Sequence, residues 1–199
     1  VVIAGVWLLP SDWGEDPQLP RSVLDPVRHA VGTISGRGPV IMHGGEYAVG
    51  EKIAAYRSGF VPATNSLRSS LDYLYARYEG DSATPEGIYW LAAGYVATGQ
   101  VDMARDLVAD ARKNGFDDLR MQNLEALIAY IEGDLDRAEG LFRSISTLYQ
   151  NDAVSSINFA VVLMERGKSE EASSILTEVI ERFRGTAFEE RARGLIDTM

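Results

Sequence analysis

Few residues in this chain are of types that do chemistry in clusters, and their spacing argues against each use. Histidine occurs twice, as His29 and His43. His43 stands beside Gly44 and Gly45 with no second histidine or carboxylate pair at ligand spacing, so a turn accounts for it better than a metal centre. Cysteine is absent, which excludes disulfides, Cys-based zinc sites and thiol nucleophiles. Two histidines also leave a Ser-His-Asp arrangement little to work with. The adjacent acids Glu170-Glu171 and Glu189-Glu190 are the right types for general acid–base work, but they fall on charge-rich helical faces where such runs serve solubility. Gly36, Gly38, Gly44, Gly45 and Gly50 would suit a phosphate loop. No Gly-x-x-x-x-Gly-Lys-Ser/Thr pattern occurs, however, and the Gly-x-Gly at 36–38 opens no helix. The expectation is a non-catalytic protein, with no metal, no cofactor and no small-molecule substrate.

The elements that would position any site divide sharply near residue 85. All seven prolines (Pro10, Pro17, Pro20, Pro26, Pro39, Pro62 and Pro85) lie at or before that point, so residues 85–199 are free to be continuous helix. Charge divides the same way: seven bases face nine acids in residues 1–84, and twelve face twenty in residues 85–199. The formal net charge of −10 over 199 residues repels phosphate backbones, so nucleic acid is not an expected partner. An apolar content of 46% is that of an ordinary globular chain.

Residues 1–10, VVIAGVWLLP, are wholly apolar but shorter than the roughly 20 residues that span a bilayer. Two readings fit them. One is a buried strand or edge segment; the other is the closing half of a transmembrane helix that starts before residue 1. Trp7 and Trp13 flank the end of the run, as aromatics do at a membrane interface, and no base follows until Arg21. Flanks poor in Lys and Arg lie outside the cytoplasm, so an anchored chain would be extracytoplasmic. Residues 11–63 are rich in Pro and Gly and show no sustained alternation, which predicts an extended, irregular arm. Its apolar residues Val23, Leu24, Val27, Ile34, Val40, Ile41 and Met42 need burial, and an arm of this length needs a docking place, on the helical part or on a neighbour. From Thr64 the spacing of Leu67, Leu71, Leu74, Tyr75 and Tyr78 predicts a helix ended by Gly80.

Self-similarity is the strongest signal. Gly99, Gly133 and Gly167 recur at intervals of 34, as do Ala104, Ala138 and Ala172, and Leu107, Leu141 and Ile175. The units run 85–118, 119–152 and 153–186. They resemble the tetratricopeptide repeat (TPR), two antiparallel helices in about 34 residues. Leu91, Ala92 and Tyr95 fill the family's first-helix apolar positions in unit one, Ala126 and Ala129 in unit two, and Phe159, Ala160 and Leu163 in unit three. Glu125 stands where the usual residue is Leu, and the proline that often closes a unit is missing. The glycines fall where a tight turn needs positive φ. The alanines fall where paired helices cross. Residues 187–198 read as a capping helix, with Phe188, Ala192, Leu195 and Ile196 on one side. The expected fold is therefore all-α: a TPR-type helical solenoid over residues 64–199, preceded by the arm.

The resemblance implies a concave surface lined by the first helix of each unit and suited to a peptide or a partner's helix. By register that groove carries Tyr89, Arg120, Asn123, Leu127, Tyr130, Ile157, Asn158 and Val161, together with Glu86, Ala93, Val154 and Met164. Tyr89 and Tyr130 fit equally well as packing between units. Arg120 is the only base in the set, so the basic clamp with which some TPR domains hold acidic C-termini is not expected. The functional expectation is a protein–protein scaffold acting through the concave surface and the arm, anchored in a membrane on its periplasmic side, with a cytoplasmic adaptor as the alternative. Its layout, and the stretch RGPVIMHGGEYAVGEKIAAYRSG at residues 37–59, are also similar to the outer portion of some bacterial anti-sigma factors. That similarity makes an extracytoplasmic sensor the second functional reading.

Overall fold

Most helices in this chain announce their first turn with a short polar side chain. Thr64, Thr84, Asp118, Asp134, Asp152 and Thr186 each accept a backbone N–H two or three residues ahead, satisfying donors that the helix itself leaves unpaired. The computed structural model describes residues 18–37, 60–80 and 82–199. Among these the protein is all-α, with nine helices and no strand. They are α1 (Arg21–Arg37), α2 (Asn65–Glu79), α3 (Pro85–Ala97), α4 (Val101–Lys113), α5 (Leu119–Ile131), α6 (Leu135–Leu148), α7 (Ala153–Glu165), α8 (Ser169–Arg182) and α9 (Ala187–Ile196).

Three residues join α3 to α4, α5 to α6 and α7 to α8, and one turn serves all three. Gly99, Gly133 and Gly167 hold φ of 81°, 83° and 73°, a region that a side chain strains. The next residue's N–H then reaches back to the helix end: Gln100 to the Tyr95 carbonyl at 2.8 Å, Asp134 to Ala129 at 2.9 Å and Lys168 to Leu163 at 2.9 Å. This bond from a residue to the fifth before it closes the helix C-terminus and turns the chain back on itself. Each hairpin packs against the next, with α4 on α5, α6 on α7 and α8 on α9, and with α3, α5, α7 and α9 as successive neighbours.

The two rows differ in character. The outer helices α4, α6 and α8 are amphipathic, burying Ala104, Leu107 and Val108; Ala138, Phe142 and Ile145; and Ala172, Leu176 and Val179. The inner helices α3, α5 and α7 are buried on almost every face, as a helix apolar all round must be. Glu125, the one acid at an apolar position of the inner row, pairs with Arg112 of α4 and Arg137 of α6 instead of packing. The end of the stack is closed by α9, whose Phe188, Ala192 and Leu195 are buried and whose Phe188 ring stands 5.9 Å from Phe183.

Part of the expected irregular arm is corrected by the structure. Residues 21–37 form α1, which packs on α2 and α3. Pro26 sits inside that helix, and its missing N–H argued against one, at a penalty of about 3 kcal/mol. The stripe Leu24, Val27, Val31 and Ile34, all buried, has helical 3-4-3 spacing and outweighs that penalty by its contact with α3. The approach is close: a Cβ on Gly94 of α3 would come within 2.5 Å of Leu71 Cδ2 and 3.2 Å of Val27 Cγ1. Residues 1–17 and 38–59, and with them residues 1–10, Trp7, Trp13 and most of the arm, lie outside the described residues. No helix among those described is long and apolar enough to cross a membrane.

Ala104, Ala138 and Ala172, one on each outer helix, are fully buried. Ala138→Leu should therefore overpack the α5–α6 crossing and cost roughly 1–3 kcal/mol. Urea unfolding should show this as a lower midpoint with an unchanged slope.

Candidate functional site

Of the eight residues expected to line a groove, Tyr89, Arg120, Asn123, Tyr130 and Asn158 meet partners on neighbouring hairpins. Tyr89, Arg120, Asn123, Leu127, Tyr130, Ile157, Asn158 and Val161 are all buried. The Arg120 guanidinium of α5 lies 4.8 Å over the Tyr89 ring of α3, which in turn stands edge-on to Trp90 at 5.2 Å. Burial pulls the Arg120 guanidinium below its usual value, and the nearby Tyr89, Asp118 and Glu86 pull it back. Asn123 Nδ2 donates to Ser155 Oγ of α7 at 2.7 Å, and Asn158 Nδ2 donates to Asn123 Oδ1 at 3.1 Å. The Tyr130 hydroxyl of α5 donates to Glu165 at the end of α7. Leu127, Ile157 and Val161 are enclosed apolar side chains. Tyr89 and Tyr130 thus occupy the packing role that the sequence left open beside the groove role.

Other candidate chemistry is also committed to structure. Glu171 pairs with Arg143 at 2.9 Å, and Glu189 accepts from Gly185 N–H at 2.6 Å and from Arg193. His29 is exposed on α1; His43 lies outside the described residues. The described residues contain no group of three or more His, Asp or Glu placed to hold a metal. Tyr78 donates to Asp110 Oδ2 at 2.5 Å, and this bond, with burial, pushes its hydroxyl up to about 12. Burial, then the neighbouring Tyr75, Asp72 and Glu79, push Tyr95 up to about 12 as well.

Two ion clusters join successive hairpins, and sequence reasoning named neither. On α6, Glu139 accepts from Lys168 Nζ at 2.7 Å and from Arg143 at 2.9 Å, and it forms an ion pair with Arg166 Nε at 2.9 Å. The hydrogen bonds from Lys168 and Arg143 hold its carboxyl below the usual range. The second cluster lines a recess of about 390 Å³ between α4, α5 and α6, where Arg105, Arg112, Lys113 and Arg137 face Asp117 and Glu125. Its guanidiniums are engaged: Arg105 meets Glu132 at 2.6 Å, Arg112 meets Asp117 at 2.9 Å, and Arg137 meets Glu125 at 2.7 Å. With its guanidiniums tied up in these pairs, the recess is a joint between helices. The legible signal was the pair Arg166 and Lys168 straddling the turn glycine Gly167.

The chain matches no protein-family model, no curated protein and no solved structure.

Asn123 is the shared partner of Ser155 and Asn158 in a buried site, so Asn123→Ala should cost about 1–3 kcal/mol. A double-mutant cycle with Ser155→Ala should recover part of that loss. For Glu139 the folded-state pKa is depressed, so its stabilisation is complete above the ordinary carboxylate value of about 4.3 and fades as pH falls through the lower folded value. Glu139→Gln should therefore destabilise by about 1–2 kcal/mol at pH 7, and the gap from the parent should close as thermal melts are moved below about pH 4.

Proposed function

We propose that this chain is a TPR-type solenoid serving as a non-catalytic protein–protein scaffold. We further propose that it is anchored in a membrane through the apolar run at residues 1–10, with its helices outside the cytoplasm. The observation that carries the reading is one hairpin used three times. The 34-residue interval of Gly99, Gly133 and Gly167 coincides with three turns sharing positive φ and the same closing hydrogen bond, and Ala104, Ala138 and Ala172 are fully buried in the helix that follows each turn. A stack of like units, with several charged groups tied into pairs between helices, offers surface and rigidity rather than a reactive centre.

The inner-row residues are withdrawn from solvent, so a partner reads other surfaces. Phe60, Tyr73, Tyr75 and Met103 are large apolar side chains that remain exposed toward the N-terminal end of the described helices, as do Leu148 and Met199 further along. Aromatic and Met side chains supply much of the contact area at protein interfaces.

Gentle detergent extraction from native membranes, followed by mass spectrometry of what co-purifies, tests this reading. The expected result is membrane recovery with a stoichiometric set of protein subunits, and loss of those subunits from a Tyr75→Ser, Met103→Ser double variant whose melting temperature is unchanged. Recovery solely from the soluble fraction would remove the anchor. Co-purification of a sigma factor would replace the scaffold by the sensor of an anti-sigma-like protein.

A further inference from the structure

Ion pairs at two successive joints occupy the same places with opposite sign. The first joint lies between the α3–α4 and α5–α6 hairpins, the second between α5–α6 and α7–α8. Arg105 and Glu139 are 34 apart, each the fifth residue of its outer helix, α4 or α6. Glu132 and Arg166 are also 34 apart, each capping the C-terminus of an inner helix, α5 or α7. Arg105 meets Glu132 at 2.6 Å across the first joint, and Glu139 meets Arg166 at 2.9 Å across the second. The outer helix thus offers a base to an acid at one joint and an acid to a base at the next. Lys168 strengthens the second sign by reaching Glu139 at 2.7 Å, and the residue in its place in the middle hairpin is Asp134. The corresponding places at the ends of the series are uncharged: Thr98 caps α3, and Ser173 is the fifth residue of α8.

We propose that the inverted pair, Arg105–Glu132 and then Glu139–Arg166, sets the order in which the hairpins stack and excludes the like hairpin of a second copy of the chain. Such ordering goes beyond the scaffold reading and holds for any stack of these hairpins, TPR or not. Misassembly between like units is a characteristic failure of repeat chains. Apolar packing does little to prevent it here, because the turn glycines and the crossing alanines are the same in every hairpin. Charge does prevent it. If α5–α6 stacked on a second α5–α6, Glu139 would face Glu132 and Asp134 in the places of Arg166 and Lys168. If α3–α4 stacked directly on α7–α8, Arg105 would face Arg166 and Lys168. Both wrong arrangements bring like charges together where the right one brings opposite charges. The pairs are closer than 3 Å, well inside the Debye length of about 8 Å at physiological salt, so the sign is felt. A repulsive contact against the wrong partner selects as effectively as an attractive one toward the right partner. The buried polar groups discriminate in the same direction. Asn123 donates to Ser155 and accepts from Asn158, whereas a second α5 would present Met121 and Leu124 in those places and leave the amide unsatisfied.

Reversing the first joint alone, with Arg105→Glu and Glu132→Arg in the intact chain, keeps an ion pair there but gives both joints the same sense. Glu139 of one molecule then finds a base at position 132 of another, and the order is no longer specified. Each single reversal should lower the melting temperature by roughly 2–4 °C, and the double reversal should recover most of that loss. After dilution from urea at matched concentration, light scattering should find more of the double reversal than of the parent in species larger than the parent's native form. The expected excess is about 3-fold, the scale set by one partly exposed pair. Arg105→Gln with Glu132→Gln removes the pair without offering Glu139 a base, and should stay at the parent's level. Equal amounts of larger species from the double reversal and the parent would overturn the proposal. So would larger species from the neutral pair matching those of the double reversal, because lost stability would then be their cause. A single reversal that leaves the melting temperature unchanged, or a double reversal that melts no higher than the singles, would overturn it too. Failure of the scaffold reading would leave these refolding results unchanged.

Discussion

Everything in this protein depends on how closely two helices approach at a fully buried alanine. At Ala104, Ala138 and Ala172 the outer helix of a hairpin presents a single methyl group, and the rest of each unit is arranged around that spacing. A turn of three residues can close the hairpin only if the helices lie close together, and a positive-φ glycine lets the chain reverse without a side chain in the way. The same closeness leaves the inner helix enclosed, so its residues must be apolar, or polar with a partner at hand.

That second condition explains the few polar groups inside. Asn123, Ser155 and Asn158 satisfy one another across the α5–α7 contact. Such a buried network gives little net energy but penalises any misaligned hairpin, because a slip would strand polar atoms away from water. Glu125 and Glu139 do comparable work further out, each bridging its helix to bases on the neighbouring elements. The acidic excess of the chain thus includes carboxylates with defined positions as well as a solvated surface.

The parts of the fold that repeat were legible from residue types, and the parts that occur once were not. Gly133 or Ala138 alone says little; the same residue 34 positions earlier and later turns each into a helix end or a crossing. α1 has no counterpart in that series, and Pro26 masked a stripe, Leu24, Val27, Val31 and Ile34, whose spacing was helical throughout. The candidate site was less legible for a different reason. Register gives an angle on a helix and not what lies against it, so the partners of Arg120 and Asn123 could not be read from it. Glu125 shows the converse: a residue that breaks the repeat pattern is explained by two arginines, Arg112 and Arg137, which the pattern does not address.

Because the described helices pack hairpin on neighbouring hairpin, the joints between them act in series. A force drawn along the stack from one end to the other would pass through every joint in turn, and the total give would be the sum of small changes at each. Ion pairs such as Arg166 with Glu139 would bear that load as spring elements between stiff rods. A molecule built this way can change its length slightly without breaking any helix, and can yield one hairpin at a time when pulled harder.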